Sequence, residues 1–287
     1  MKVYDVFTYF DEERLLELRL EEHNPFVDRF VLVEGNRTFV GRSKPFNFDI
    51  NSPRWANYRD KIIHLKILLS DTPETAWANE AAQRNAFVTA IAFDDDDIVH
   101  LSDVDEITSR HSWRHILDEL RLVDCLALRH RFFYYFLNLE SSEPWTAPRL
   151  MRAHYLKDAS ATPDEIRKRA CEHVSETCGW HFSYLMTLEE ISAKLASFSH
   201  QEFNNAEYNS PDRIRRAIAG KTDLFSRSGV HYDVCRIDNS WPIGVLRAPN
   251  AWAKYICRLT TEDRLRRVER RVRAFARWLI SPLRRAA

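Results

Sequence analysis

The sequence predicts an α/β protein whose sheet is mostly parallel and flanked by helices. Three observations predict it. Short β-branched and aromatic runs alternate with helical stretches in the order β-α-β-β-α-β, which requires crossover connections and so a largely parallel sheet. One apolar run, Ile98-Val99-His100-Leu101, ends abruptly in Ser102-Asp103-Val104-Asp105-Glu106. Ligands of open α/β sheets bind at the carboxyl ends of strands, so acids at such an end mark a candidate site. The chain has 287 residues, 45% of them hydrophobic and only 6 of them Gly, enough for one large domain or a domain plus an appendage.

The elements follow in order. Val3-Tyr4-Asp5-Val6-Phe7-Thr8-Tyr9-Phe10 is strand-like. Asp11 and Glu12 then open a helical pattern through Leu15, Leu16, Leu18 and Leu20, with acids where the helix dipole favours them and Asn24-Pro25 as a stop. Residues 28–34 form a second strand ending in Glu34, followed by a Gly35-Asn36 turn and a loop to Phe46. Residues 61–69 predict a third strand, 73–93 a helix, and 97–103 the strand that carries the acids. Beyond it, 109–122 reads as a helix and 124–139 as a strand. That strand holds the aromatic patch Phe132-Phe133-Tyr134-Tyr135-Phe136, either a substrate wall or a buried core. A loop with two prolines and Trp145 spans 141–148. Thr162-Pro163-Asp164-Glu165 has helix-start chemistry, Gly179 to Tyr184 is a short aromatic run containing His181, and 188–198 is a helix leading to His200 and Glu202.

Composition narrows the function. With 42 basic and 42 acidic residues the net charge is zero, so no global field points to nucleic acid. Five Cys, an odd number without a CxxC pair, indicate reduced thiols and a cytosolic setting. The N-terminus lacks a basic-then-apolar leader and no 18 apolar residues run together, so a cytoplasmic protein is expected. The C-terminus is different. Ten Arg fall between Arg258 and Arg285, while Leu265, Val268, Val272, Phe275 and Leu279 recur at helical spacing beside Trp278. A basic amphipathic helix of this kind suits an anionic membrane surface, or packs its stripe on protein. These features divide the chain into a catalytic unit, 1–240, and an extension, 241–287.

Period-2 geometry would place Asp103 and Asp105 on one side of the strand end and Val104 on the other. Two adjacent carboxylates repel unless a cation sits between them, and an all-oxygen pair suits Mg²⁺ or Mn²⁺ with a diphosphate as further ligand. An ordinary acidic loop is the alternative. Glu34 would lie near the same edge, able to accept from a ribose or base, or else simply exposed. Arg84 could fork onto a diphosphate, or pair with the Asp94–Asp97 cluster. His200 and Glu202, one residue apart, are a cap or an acid/base pair.

Several motifs in order resemble glycosyltransferase family 17. They are Phe7 in the first strand, Val33-Glu34-Gly35-Asn36-Arg37-Thr38-Phe39-Val40-Gly41, Lys44-Pro45, Gln83-Arg84-Asn85, Leu101-Ser102-Asp103-Val104-Asp105-Glu106-Ile107, Gly179-Trp180-His181-Phe182-Ser183 and Ser199-His200-Gln201-Glu202. The likeness spans about residues 2–239 and leaves out the basic tail. It implies a GT-A-like, Rossmann-type domain and an inverting transfer, with GlcNAc the expected sugar, from a UDP-sugar. It also implies Mn²⁺ or Mg²⁺ on Asp103 and Asp105, with His181 as a possible third ligand, and donor contacts from Glu34, Lys44, Arg84 and Asp103. Glu106 and Glu202 are the candidate bases. The chain departs from the family's animal members in having no N-terminal membrane anchor and in carrying Phe182 where they tend to have Cys. A lipid-linked saccharide at an inner membrane face is therefore the expected acceptor. A haloacid-dehalogenase-like phosphatase using Asp103 as nucleophile, and a non-catalytic membrane-surface protein, are the other classes. The phosphatase motif normally follows a domain's first strand, and here it comes a hundred residues in.

Overall fold

The computed structural model describes residues 1–280, without the side chains of residues 271 and 273–280. The first part of the chain runs β1 (Val3–Tyr9), α1 (Glu13–His23), β2 (Arg29–Gly35), β3 (Ile62–Ile67), α2 (Ala76–Asn85), α3 (Phe87–Ala90) and β4 (Ile98–Asp103). The middle runs β5 (Glu106–Thr108), α4 (Trp113–Glu119), β6 (Cys125–Tyr134), β7 (Leu139–Ser141), β8 (Arg149–Arg152), α5 (Ala153–Asp158), α6 (Pro163–Lys168) and β9 (Val174–Ser183). It closes with α7 (Leu188–Leu195), α8 (Pro211–Gly220), β10 (Tyr232–Val234), α9 (Ile243–Arg247), α10 (Pro249–Trp252) and α11 (Thr261–Ile280).

The strands form one sheet in the order β10-β7-β6-β8-β4-β1-β2-β3, with β9 paired to both β5 and β6. The half β4-β1-β2-β3 is wholly parallel, the strand order of a Rossmann mononucleotide half. Its inner strands β4, β1 and β2 are buried on both faces, as crossover helices require, while the edge strand β3 is mostly half-buried. Along β1, Phe7 and Tyr9 join one core cluster with Leu16, Leu20 and Trp113, while Tyr4 and Val6 join another with Phe87 and Met151. The other half is mixed: β8 runs antiparallel to β4 and to β6, whereas β9 runs parallel to β6. Four parallel strands thus end on one edge, at Tyr9, Gly35, Ile67 and Asp103.

Several predicted elements are shorter than their sequence pattern, among them the helix expected over 109–122, which spans only Trp113–Glu119. The helix expected over 73–93 breaks at Ala86 into α2 and α3. The strand expected over 124–139 ends at Tyr134, because Tyr135 takes a left-handed backbone (φ 59°). The aromatic patch therefore splits: Phe132 and Tyr134 pack on one face of β6 and Phe133 on the other. Past residue 240 the chain stays attached, with Trp241, Val245 and Tyr255 buried against Leu15, Leu18 and Phe133.

On α11 Leu265, Val268 and Val272 are about 60% exposed, while Asp263 pairs with Lys221 (2.6 Å) and Arg270 with Asp233. The side chains of the predicted stripe residues Phe275, Trp278 and Leu279, and the last two arginines, lie outside what the structure describes. Among the described residues no helix is long and apolar enough to cross a membrane.

Candidate functional site

The acidic segment sits at the carboxyl end of β4, next to Thr8 of β1. The strand stops at Asp103, and Val104 and Asp105 form a turn into β5, so pleat alternation does not orient the acids. Val104 anchors the turn in the core at 3% exposure. Arg19 of α1 grips it from beneath, donating to the carbonyls of Asp103 (2.8 Å) and Glu106 (2.7 Å). The Asp103 amide donates to Glu106 (2.9 Å), and the Asp105 carbonyl accepts from the Phe182 amide of β9 (2.9 Å). Arg19 is itself held by Asp5 and Ser102, and Asp5 also meets the Nδ1 atoms of His23 (2.8 Å) and His100 (2.7 Å). Burial alone would raise the Asp5 carboxyl, but Arg19 and His23 outweigh it and hold it well below the usual range. This sealed network fixes the backbone of the turn.

Above the turn lies a cleft of about 1270 Å³ whose walls include Thr8, Glu12, Arg84, Asp103, Asp105, His181, Lys194, His200 and Glu202. Asp103 accepts from Thr8 (3.0 Å), Arg84 (3.1 Å) and Arg167 (2.8 Å). Burial opposes its ionisation, yet Arg167 and Arg84 override that and keep it charged. Arg84 also binds Glu80 (2.9 Å) and Asp164, so the Asp94–Asp97 pairing considered from sequence does not form. Asp97 instead accepts the backbone amides of Lys2 and Asp94.

Asp105 is differently placed. One oxygen lies 3.5 Å from His181 Nε2 and the other 3.5 Å from Lys194 Nζ. Burial pushes its carboxyl up, but those two neighbours carry it net downward. His181 stacks on Phe132 (centroids 4.5 Å apart), and its buried Nδ1 has no hydrogen-bond partner.

The remaining predicted residues separate. Glu106 is fully buried and walled off: both oxygens accept from Arg167, and Trp145 Nε1 donates to one of them. That leaves it no lone pair turned to an acceptor sugar, so it acts as the anchor of Arg167. Glu34 is closed off as well. It accepts from Lys44 (3.0 Å), His64 (2.9 Å) and the amides of Asn47 and Phe48, so Glu34 and Lys44 satisfy each other and staple the 44–48 loop instead of lining the cleft. His200 and Glu202 do line it, as a half-exposed pair with Nδ1 to carboxylate at 2.6 Å.

Sequence reasoning missed Arg167, Lys194 and Arg19. Arg167 lies on α6, whose start signal was legible, but nothing in the order of residues links it to Asp103 sixty-four positions away. Lys194 lies in the last turn of α7, where a cation suits the helix dipole.

Asp105, Glu106 and His181 each bring a ligand atom within 4.8 Å of the others. With Glu106 taken up by Arg167 and Trp145, the set fits a divalent ion through Asp105 and His181. Nε2 of His181 faces Asp105 at 3.5 Å, at the outer limit of a hydrogen bond, so both groups can turn a lone pair to an ion between them, and water and phosphate oxygens can complete a hard-cation shell. Asp103 is a poor phosphatase nucleophile, since both its oxygens are already neutralised by arginines.

The model of glycosyltransferase family 17 matches residues 1–234. No curated protein matches the chain. Among solved structures, 4-diphosphocytidyl-2C-methyl-D-erythritol synthase from Anaerococcus prevotii DSM 20548 is 12% identical, covering 61% of this chain and 89% of its own, with a TM-score of 0.35. Residues 1–349 of S. aureus TarS are 13% identical over 80% of this chain and 75% of that one, with a TM-score of 0.37. Overlaps this loose leave the family match to carry the assignment.

Proposed function

The chain belongs to glycosyltransferase family 17 and is a glycosyltransferase; from that premise we propose a metal-dependent, inverting transfer of GlcNAc from a UDP-sugar to a glycan or lipid-linked saccharide. The observation that carries this reading is the Asp105–His181 pair, Nε2 and carboxylate 3.5 Å apart, in a large cleft at the carboxyl ends of the parallel strands. Asp105 and His181 would hold Mn²⁺ or Mg²⁺, which when bound supplies Lewis-acid neutralisation of the departing diphosphate.

The protein's own groups do the rest. Asp103 holds Arg84 and Arg167 at the cleft wall, where Glu80, Asp164 and Glu106 also pair with them, so the two guanidiniums fix the shape of the wall. Exposed Lys168 and Arg169, also on the wall, add cations that can follow the phosphates. On the acceptor side the Glu202 carboxylate fixes the tautomer of His200, so that Nε2 is left to take the hydroxyl proton as inversion proceeds. Residues 1–240 form the transferase unit of this proposal. The extension brings the exposed face of α11, with Arg264, Arg266 and Arg267 near Leu265 and Val268, to an anionic membrane that carries the acceptor.

Calorimetric titration with UDP, with and without Mn²⁺, tests the reading. Wild type should bind UDP in a Mn²⁺-dependent manner, and Asp105→Ala should lose that dependence. Metal-independent or absent UDP binding in the wild type would overturn it.

A further inference from the structure

We propose that Lys194 is the resident cation of the Asp105 carboxylate, and that a divalent ion enters the site by displacing it. The inference rests on the metal-dependent reading above and adds how metal and donor become coupled.

Lys194 comes from α7, which is fixed by a Thr187–Glu190 capping box and by Ile191 and Leu195, both wholly buried. That anchoring brings the lysine stem to the cleft, over the ring of Tyr184 (5.6 Å to its centroid). Its ammonium lies 3.5 Å from Asp105 Oδ2 and 4.0 Å from Glu12 Oε1, and both carboxylates are more than nine-tenths buried. It therefore stands as the cation that balances Asp105, as Arg84 and Arg167 balance Asp103.

An ion taken up by Asp105 and His181 would lie within a few ångströms of that ammonium. Like charges at such separation in a poorly solvated site repel strongly, so the two cannot share Asp105. The lysine has somewhere to go. Its flexible four-carbon stem lets it leave Asp105 for Glu12 or for an anion in the cleft. A diphosphate is such an anion, and its arrival gives the displaced ammonium a partner. Metal and nucleotide should then strengthen each other's binding, and by thermodynamic linkage the factor is the same both ways. Lys194 thereby suppresses metal uptake until a donor is present.

The test is a Mn²⁺ titration followed by the electron paramagnetic resonance signal of the free ion, with and without UDP, on wild type, Lys194→Met and Lys194→Arg. Wild type should bind Mn²⁺ weakly alone and more tightly with UDP. Lys194→Met, which keeps the stem and removes the charge, should bind Mn²⁺ alone about tenfold or more tightly, with most of the gain from UDP lost. Lys194→Arg should behave as wild type does. Thermal unfolding of each variant shows that the comparison is between folded proteins, and the arginine variant serves should the methionine one prove unstable: Mn²⁺ binding to Lys194→Arg as tight as that of UDP-bound wild type would overturn the proposal. Unchanged or weaker Mn²⁺ affinity in Lys194→Met, while wild-type binding is still lost in Asp105→Asn, overturns the displacement and leaves the metal site standing. Absence of Mn²⁺ binding in every protein, with or without UDP, overturns both.

Discussion

Among the described residues, two clusters bring an aspartate and histidine together tightly enough to resemble metal sites: Asp5–His23–His100 beneath the sheet end, and Asp105–Glu106–His181 above it. By ligand type they are nearly alike, and they lie on opposite sides of one turn. The lower cluster is wholly buried, and Arg19 already supplies its cation through a guanidinium bound to Asp5. Each polar partner there is a fixed protein group, down to the Thr108 amide donating to His23 Nε2 (2.9 Å). The upper cluster opens on the cleft, keeps an unpaired imidazole nitrogen, and is balanced by a lysine on a flexible stem. Ligand identity does not separate a structural network from a site. What separates them, in the reading we propose, is whether the balancing cation can leave.

The contrast can be broken or sharpened by experiment. Arg19→Ala carries the largest expected effect, because it strands a buried carboxylate and frees the carbonyls of Asp103 and Glu106. The loss should be about 3–5 kcal/mol of unfolding free energy in urea, and a loss below 1 kcal/mol would mean that the lower network is not what holds the turn. Next comes Glu202→Gln, on the open side. It should lower kcat by about a hundredfold at unchanged unfolding midpoint, since the exposed His200–Glu202 pair supports chemistry more than folding. Activity within twofold of wild type would remove the pair from the acceptor side.

The smallest effect is the pH dependence of stability. Burial holds the His100 imidazole down to about 4, against a neighbouring Asp5 that pulls it up, and His23 is lowered for the same reason. A depressed histidine binds its proton first in the unfolded chain, so folding loses stability as pH falls from about 6.5 toward 4. Asp103 and Asp105, with lowered carboxyls, add their loss only below the ordinary carboxylate range. Urea unfolding between pH 7.5 and 4.5 should therefore decline by on the order of 2 kcal/mol, ahead of any contribution from the cleft acids. A flat profile down to pH 4.5 contradicts the neutral, buried assignment of the two histidines.

Much of this was legible before the fold was known. The parallel half of the sheet, its helices and the position of the acids at a strand end follow from periodicity and from helix and turn signals, which are local. The motif order pointed to the family that the match over residues 1–234 bears out. The individual roles were harder to read. Glu34 and Glu106 stand in plausible places along the chain, but their lone pairs are consumed by Lys44, His64, Arg167 and Trp145. Arg84 meets Asp103, Glu80 and Asp164 and not the aspartates that follow its own helix.

The sequence by itself therefore determined the fold class and the place of the candidate acids at a strand end, because hydrophobic period and strand ends are set by neighbours a few residues apart. Only the tertiary structure decided which carboxylate is committed and which is available. Arg19, Arg84, Arg167 and Lys194 reach the same acidic turn from four helices, across sequence separations from 19 to 89 residues. Charge pairing at such range depends on distance in space and on the exclusion of water, and neither leaves a periodic trace in the chain.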